Sequence, residues 1–262
     1  MKRLAMICCV MLLSIGVALA QAQAQAQTKI EGAKPEAKPA TAELPSVDKI
    51  LAKNIEALGG KAALEKLTSR LAKGSFELPA MGASGTFEAY DKAPNKSGMR
   101  IEIAGFGTIV SNFDGTQAWS QDPMSGLREL SGLELAATKL HADYFKELKM
   151  KELYKKLEVK GKEKVGSAEA YVVEATPAEG APEKFYYDAA TGLLLRHDAE
   201  RESPQGKMAI EITFEDYSVV DGVQVWHTMK QSTPAYAMTM KVTEIKHNVA
   251  IDDAKFGKPA AQ

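Results

Sequence analysis

Past residue 20 the chain contains no cysteine, because both of its cysteines, Cys8 and Cys9, sit near the N-terminus. Disulfides, a thiol nucleophile and a cysteine metal site are therefore excluded from the remainder. Histidine is scarce too: His141, His197, His227 and His247 stand far apart, with no HxxxH or HExxH pairing. No metal site is expected from that spacing, and surface or hydrogen-bonded core imidazoles are the plain reading. There is no GxSxG elbow and no glycine-rich phosphate loop, and Gly105-Phe106-Gly107 reads as a bend. Carboxylates are numerous but scattered, and Asp252-Asp253 suits a helix start or solvation. No catalytic residue and no cofactor is expected on these grounds. The 33 Lys and Arg nearly balance 34 Asp and Glu, without the clustered basic face that nucleic-acid binding requires.

One long apolar run exists, at the start. Met1-Lys2-Arg3 is positive, Leu4 to Ala20 carries no charge, and Ala18-Leu19-Ala20 is a small-x-small triplet. Residues 1–20 therefore read as a signal peptide cleaved after Ala20, which places the mature protein in the periplasm. An uncleaved anchor is the competing reading, but an Ala/Gln tract follows the run instead of a positive cluster. Cys8 and Cys9 lie early in the run with no small residue before Cys8, so lipid attachment is not expected. Loss of Lys2 and Arg3 takes the formal charge from −1 to −3. No later run is long enough to span a bilayer, so the mature form should not cross one. Residues 21–43, QAQAQAQ followed by Lys34-Pro35 and Lys38-Pro39, read as a disordered linker or a fraying helix.

Residues 44–262 read as one domain. Ser46 is a candidate N-cap, and Val47, Ile50, Leu51, Ile55 and Leu58 recur at helical spacing until Gly59-Gly60. A short helix over 61–67 follows. The period then changes to two, most cleanly in Met208–Glu215 and Tyr236–Val242. Weaker strands are expected at 73–78, 86–90, 100–104, 117–121, 157–164, 170–176, 184–188, 193–197 and 223–230. Asp114-Gly115, Thr191-Gly192, Asp221-Gly222 and Pro204-Gln205-Gly206 mark turns between them. From Ser131 to Tyr154 the pattern is helical again, with Leu133, Ala137, Leu140, Tyr144 and Leu148 on one stripe. The expected class is α+β, mostly β: a single curved antiparallel sheet, an incomplete barrel of about ten or eleven strands. Helices should cover its concave apolar face, and alternation alone leaves open whether that face is a solid core or a cavity.

Candidate lining residues follow from the inward positions: Phe87, Ile103, Phe106, Trp119, Met208, Ile210, Ile212, Phe214, Met238 and Met240, with Leu133, Leu140 and Tyr144 from the helical cover. Methionine adapts to ligands of variable shape, although such a stripe is more often ordinary core.

Residues 85–123, GTFEAYDKAPNKSGMRIEIAGFGTIVSNFDGTQAWSQDP, combine a strand, Lys92-Ala93-Pro94, Arg100 on the next strand, an apolar strand, Asp114-Gly115, Trp119 and Pro123. This order resembles the bacterial lipoprotein-carrier family, the LolA/LolB-like outer-membrane lipoprotein-sorting proteins. Asp188–Arg196 and Asp221–Lys230 resemble it as well, so the likeness spans about residues 46–257. It implies an incomplete barrel that shelters acyl chains under a helical lid, without catalysis. Implied partners are a lipid or acylated lipoprotein and envelope membrane proteins that load or receive it, with the carrier a monomer. The family's early-strand arginine, which helps hold ligand and lid, corresponds to Arg100. That residue alternates with Met99 and Ile101, so a solvent-facing position is the alternative. The competing function is an envelope protein-binding or sensor module with a filled core and an exposed apolar patch.

Overall fold

A computed structural model of the chain describes residues 43–203 and 206–260. The expected signal peptide and linker lie outside the described residues. Helix α1 (Val47–Ala57) opens where expected, with the Ser46 hydroxyl accepting from the Lys49 N–H. It ends at Gly59 and Gly60, whose φ values of 117° and 88° a side chain would resist. Helix α2 (Lys61–Leu64) is a single turn.

Six strands then run as a meander: β1 (Ser69–Leu78), β2 (Ala83–Lys92), β3 (Lys96–Ile103), β4 (Gly107–Phe113), β5 (Ala118–Asp122) and β6 (Gly126–Glu129). Helices α3 (Gly132–His141) and α4 (Met150–Leu153) follow. After them come β7 (Tyr154–Val165), β8 (Ala168–Pro177), β9 (Glu183–Asp188), β10 (Leu194–Ser203) and β11 (Gly206–Glu215). A small hairpin, β12 (Ser218–Val220) with β13 (Val223–Val225), precedes β14 (Thr228–Ser232) and β15 (Ala237–His247). All but the small hairpin join one antiparallel sheet in the order β6-β5-β4-β3-β2-β1-β15-β14-β11-β10-β9-β8-β7. The sheet curves without closing into a barrel. Register shifts at Lys73/Gly74, Tyr154/Lys156 and Val159/Gly161 add local bends.

The strand order has a direct consequence. β6 and β7 are consecutive in sequence yet form the two opposite edges of the sheet. The segment between them must therefore travel from one edge to the other, and it does so over the concave side.

Three local differences from the sequence expectations have physical reasons. The sheet holds thirteen strands rather than ten or eleven, because two further strands join it, β4, whose Ile109 and Val110 are adjacent rather than alternating, and the four-residue edge strand β6. The helix expected over 131–154 breaks after α3. There the Asp143 carboxylate accepts from the Phe145 N–H, and the Tyr144 N–H turns to the Pro94 carbonyl. The strand expected over 223–230 divides at Trp226-His227, where His227 N–H donates to Asp216, a residue at φ 57°.

Burial follows the two faces. On the concave side Ile50 and Leu51 of α1 and Met150 of α4 pack on Tyr154, Val173, Ala175, Phe185 and Tyr187. Further along the same face Phe76, Phe87, Met240 and Val242 form a second cluster. On the opposite face the C-terminal segment lays Ile251 and Phe256 on Tyr90. Among the described residues no helix is long and apolar enough to cross a membrane.

Candidate functional site

The register of the strand pairs sorts the candidate residues by face. Phe87 pairs with Ile101 and Gly74, Gly85 with Ile103 and Phe76, and Phe76 with Met240. Met240 in turn faces Met229, and Met229 faces Phe214. From Phe214 the same side of β11 runs through Ile212, Ile210 and Met208, opposite His197, Ala199 and Arg201. One apolar strip therefore crosses the middle of the sheet from β3 to β11. It contains Phe87, Ile103, Met208, Ile210, Ile212, Phe214, Met238 and Met240, all of them candidates read from the sequence.

The strip is graded in depth. Phe76, Phe87 and Met240 are buried at 1%, 5% and 2% exposure and form its floor. Ile101, Ile103, Trp226, Met229, Met238, Ile212 and Phe214 are only half-buried. Trp226 and Phe214 meet with ring centroids 5.7 Å apart. The middle of the concave face is thus a trough of methionine, aromatic and β-branched side chains that remains partly open. Phe76, Ile101, Trp226 and Met229 belong to it although they were not singled out from the sequence. Phe76 carried the same signal, at one period-two position of β1.

Helix α3 touches both limbs of the sheet, and its C-terminal end takes part in both contacts. On the β4–β6 limb Leu135 and Ala142 pack with Phe113, Ala118 and Leu130. There Arg128 also holds Glu134 through two parallel hydrogen bonds of 2.8 Å. On the opposite limb Leu140 packs against the α1 cluster. Beside α3 a cavity of about 710 Å³ opens, lined by Leu130, Leu133, Ala137 and Leu140 on one side and by Glu183 and Arg201 on the other. That volume lies within the range of small-molecule pockets, about 300–1,000 Å³. Met208, opposite Arg201 across β10 and β11, carries the apolar strip on from this wall.

The fastening on the β9–β10 limb is a buried polar hub. The Glu183 carboxylate is 3% exposed and gathers four partners. One oxygen accepts from Tyr154 Oη at 2.8 Å and lies 3.0 Å from His197 Nε2. The other accepts from Arg201 Nη1 at 2.8 Å and lies 3.0 Å from His141 Nε2. His141 is the last residue of α3, so the hub ties the spanning helix to β7, β9 and β10. His197 is stacked on Phe185, with centroids 4.5 Å apart and planes 6° apart. Burial pushes the Glu183 carboxyl up, but hydrogen bonding with the His141 and His197 rings outweighs it and holds the group below the usual carboxylate range. Burial, together with the proximity of Glu183, pushes the Tyr154 hydroxyl well up. Sequence reading missed the hub because its members come from four separate elements.

Several candidates lie elsewhere. Arg100 and Trp119 share the opposite face of the sheet, since Gly98, Asn112 and Trp119 stack across β3 to β5 and Arg100 has the parity of Gly98. There Arg100 reaches Glu102 and Thr108, the solvent-facing alternative. Phe106 projects from the β3–β4 tip at 38% exposure. Leu133 stands at the cavity mouth, 37% exposed. Tyr144 lies in the turn after α3, where burial raises its hydroxyl to about 12. Among the described residues no cluster of three His, Cys, Asp or Glu side chains is arranged to hold a metal.

No family model and no curated protein sequence matches this chain. Solved structures do. A putative outer membrane lipoprotein-sorting protein domain from Vibrio parahaemolyticus superposes with a TM-score of 0.55 at 14% identity, covering 81% of this chain and 98% of its own. A LolA superfamily protein from Nitrosomonas europaea gives 0.55 at 14%, covering 82% and 99%. A DUF1329 family protein from Desulfovibrio piger gives 0.54 at 16%, covering 82% and 99%. Identities this low speak for architecture alone, and the architecture agrees with the expectation from residues 46–257: the chain has the LolA-like fold.

Proposed function

We propose that this chain is an exported, non-catalytic carrier or binder of lipid acyl chains or acylated lipoproteins, which it shelters in the concave trough beneath α3. The observation that carries this reading is the half-open apolar strip from Ile103 to Met208, in a sheet whose two limbs are both touched by α3. A soluble protein gains nothing from leaving such a strip partly uncovered unless something apolar covers it. Burying about ten methylenes contributes about 8 kcal/mol before ordering costs are subtracted. Catalysis needs a reacting group aimed at substrate, whereas the Glu183 hub is saturated by its own neighbours. The N-terminal signal pattern supports periplasmic export.

Titration with a fluorescent fatty-acyl probe tests the proposal. Saturable binding is expected, weakened about tenfold or more by Ile212→Glu, which sets a charge on the half-buried wall. Near-UV circular dichroism checks that this variant stays folded. Equal binding by the variant, or none by the wild type, sinks the proposal.

A second reading, a protein-binding module of the same fold, is favoured by one observation. Met81, Phe106 and Met124, at 44%, 38% and 47% exposure, project from the β1–β2, β3–β4 and β5–β6 tips, all at one end of the sheet. A chain that refuses the acyl probe would be better explained by a protein partner seated on those tips.

A further inference from the structure

Five of the chain's 11 methionines, Met99, Met208, Met229, Met238 and Met240, stand on the apolar strip. Central antiparallel strands favour β-branched and aromatic residues, a preference methionine does not share. What a thioether adds is flexibility and a soft, oxidisable sulfur. Three of the five lie together. Met229 of β14 faces Met240 of β15 directly, and Met238 points to the same side two residues along β15. Directly opposed neighbours have Cβ atoms about 5 Å apart and diagonal ones about 7–8 Å, within reach of long side chains.

The three differ in exposure. Met240 is sealed into the floor, whereas Met229 and Met238 are half-buried on the open wall, with Phe214 across from Met229. A small water-borne oxidant in the empty trough therefore meets Met229 and Met238 before Met240. Beyond residue 20 no cysteine competes for it.

Resting on the reading of the trough as an acyl-chain site, we propose that Met229 and Met238 form a modification site: their oxidation to sulfoxides by hydrogen peroxide shuts the trough to acyl chains. In each step a sulfur lone pair attacks one peroxide oxygen, and the S–O bond forms as the O–O bond breaks. Sulfur gives up two electrons and the peroxide is reduced. The proton of the attacked oxygen passes to the other oxygen, which departs as water.

The consequence follows from what covers the wall. In the empty trough water solvates a sulfoxide, so the fold survives. A bound acyl chain displaces that water and leaves two polar S–O groups facing hydrocarbon. Gln231, the polar residue opposite Met238, already donates to the Tyr236 hydroxyl. Acyl affinity should thus fall about tenfold or more once both sulfurs are oxidised. The exclusion works in both directions, because a bound chain covers both sulfurs and keeps the oxidant away. The loaded protein is protected and the empty one is inactivated.

Dilute hydrogen peroxide, with peptide mapping of each methionine against time, reads the site without any ligand. Met81 and Met124 on the exposed tips should react first and Met229 and Met238 next. The buried Met240 and Met150 should react about tenfold more slowly than the wall pair. Met240 reacting as fast as Met229 and Met238 overturns the proposal. With the fluorescent fatty-acyl probe bound, Met229 and Met238 should slow about tenfold while Met81 and Met124 react as before. Binding is then compared before and after treatment. Wild-type affinity should fall about tenfold, whereas a chain carrying Met229→Leu and Met238→Leu, whatever its starting affinity, should change less than about threefold. An equal fall in that variant places the effect on other methionines and overturns the proposal. Should the variant not fold, protection by the probe decides, and equal rates with and without it contradict the site. Reduced wild type that binds no probe removes the carrier reading and the proposal with it. Reduced and oxidised proteins that bind equally well remove the proposal alone.

Discussion

Replacing Glu183 by alanine is expected to lower the unfolding free energy by about 3–5 kcal/mol, the cost of leaving a buried charge without its partner. The Arg201 guanidinium would lose its ion pair, and Tyr154 and His197 their hydrogen-bond acceptor, at positions where Tyr154 and His197 are 6% exposed. Glu183→Gln should cost less, because an amide still offers an acceptor to Tyr154, although it leaves Arg201 unpaired. The double change Glu183→Leu with Arg201→Met should recover part of the loss, since an apolar pair of similar size avoids desolvating either charge. Urea denaturation measures all three, with the slope of the transition checked for constancy. A loss under about 1 kcal/mol for the alanine variant would mean that water reaches the hub, in contrast to the burial described above.

The second large effect belongs to the floor of the trough. Phe76 is 1% exposed, packs in the cluster with Phe87, Met240 and Val242, and lies over Gly85, which pairs with it across β1 and β2. Gly74 stands in the same relation to Phe87, so each ring covers a glycine on the neighbouring strand. A side chain at either glycine would run into the ring and into backbone. Phe76→Ala should therefore cost about 3–5 kcal/mol, the lost transfer energy plus the cavity left behind. Phe76→Leu keeps most of the volume and should cost well under half as much. Were the two variants equally stable, the floor would be repacking freely and could not act as the rigid side of a binding site.

Much of the fold was legible because it rests on period. Met208–Glu215 and Tyr236–Val242 alternate strictly, and each became a long central strand whose inward residues line the trough. The Ser46 cap and the Gly59-Gly60 stop bounded α1 within a residue. What the sequence hid depends on distance or on parity. Glu183, His141, His197, Arg201 and Tyr154 carry no local pattern, because the hub exists only once β7, β9, β10 and the end of α3 converge. Arg100 and Trp119 resemble family positions by order along the chain, yet one step of strand parity sends both to the opposite face. The spanning role of α3 was suggested by its apolar stripe. Its cause is topological, because the chain must pass from edge strand β6 to edge strand β7.

Native mass spectrometry of the protein recovered from a bacterial periplasm, with organic extraction of whatever it holds, tests the central claim most directly. The account predicts a stoichiometric lipid or acylated peptide on the wild type and its loss from a folded Ile212→Glu variant. A wild-type protein that arrives empty and also takes up no acyl probe would contradict it.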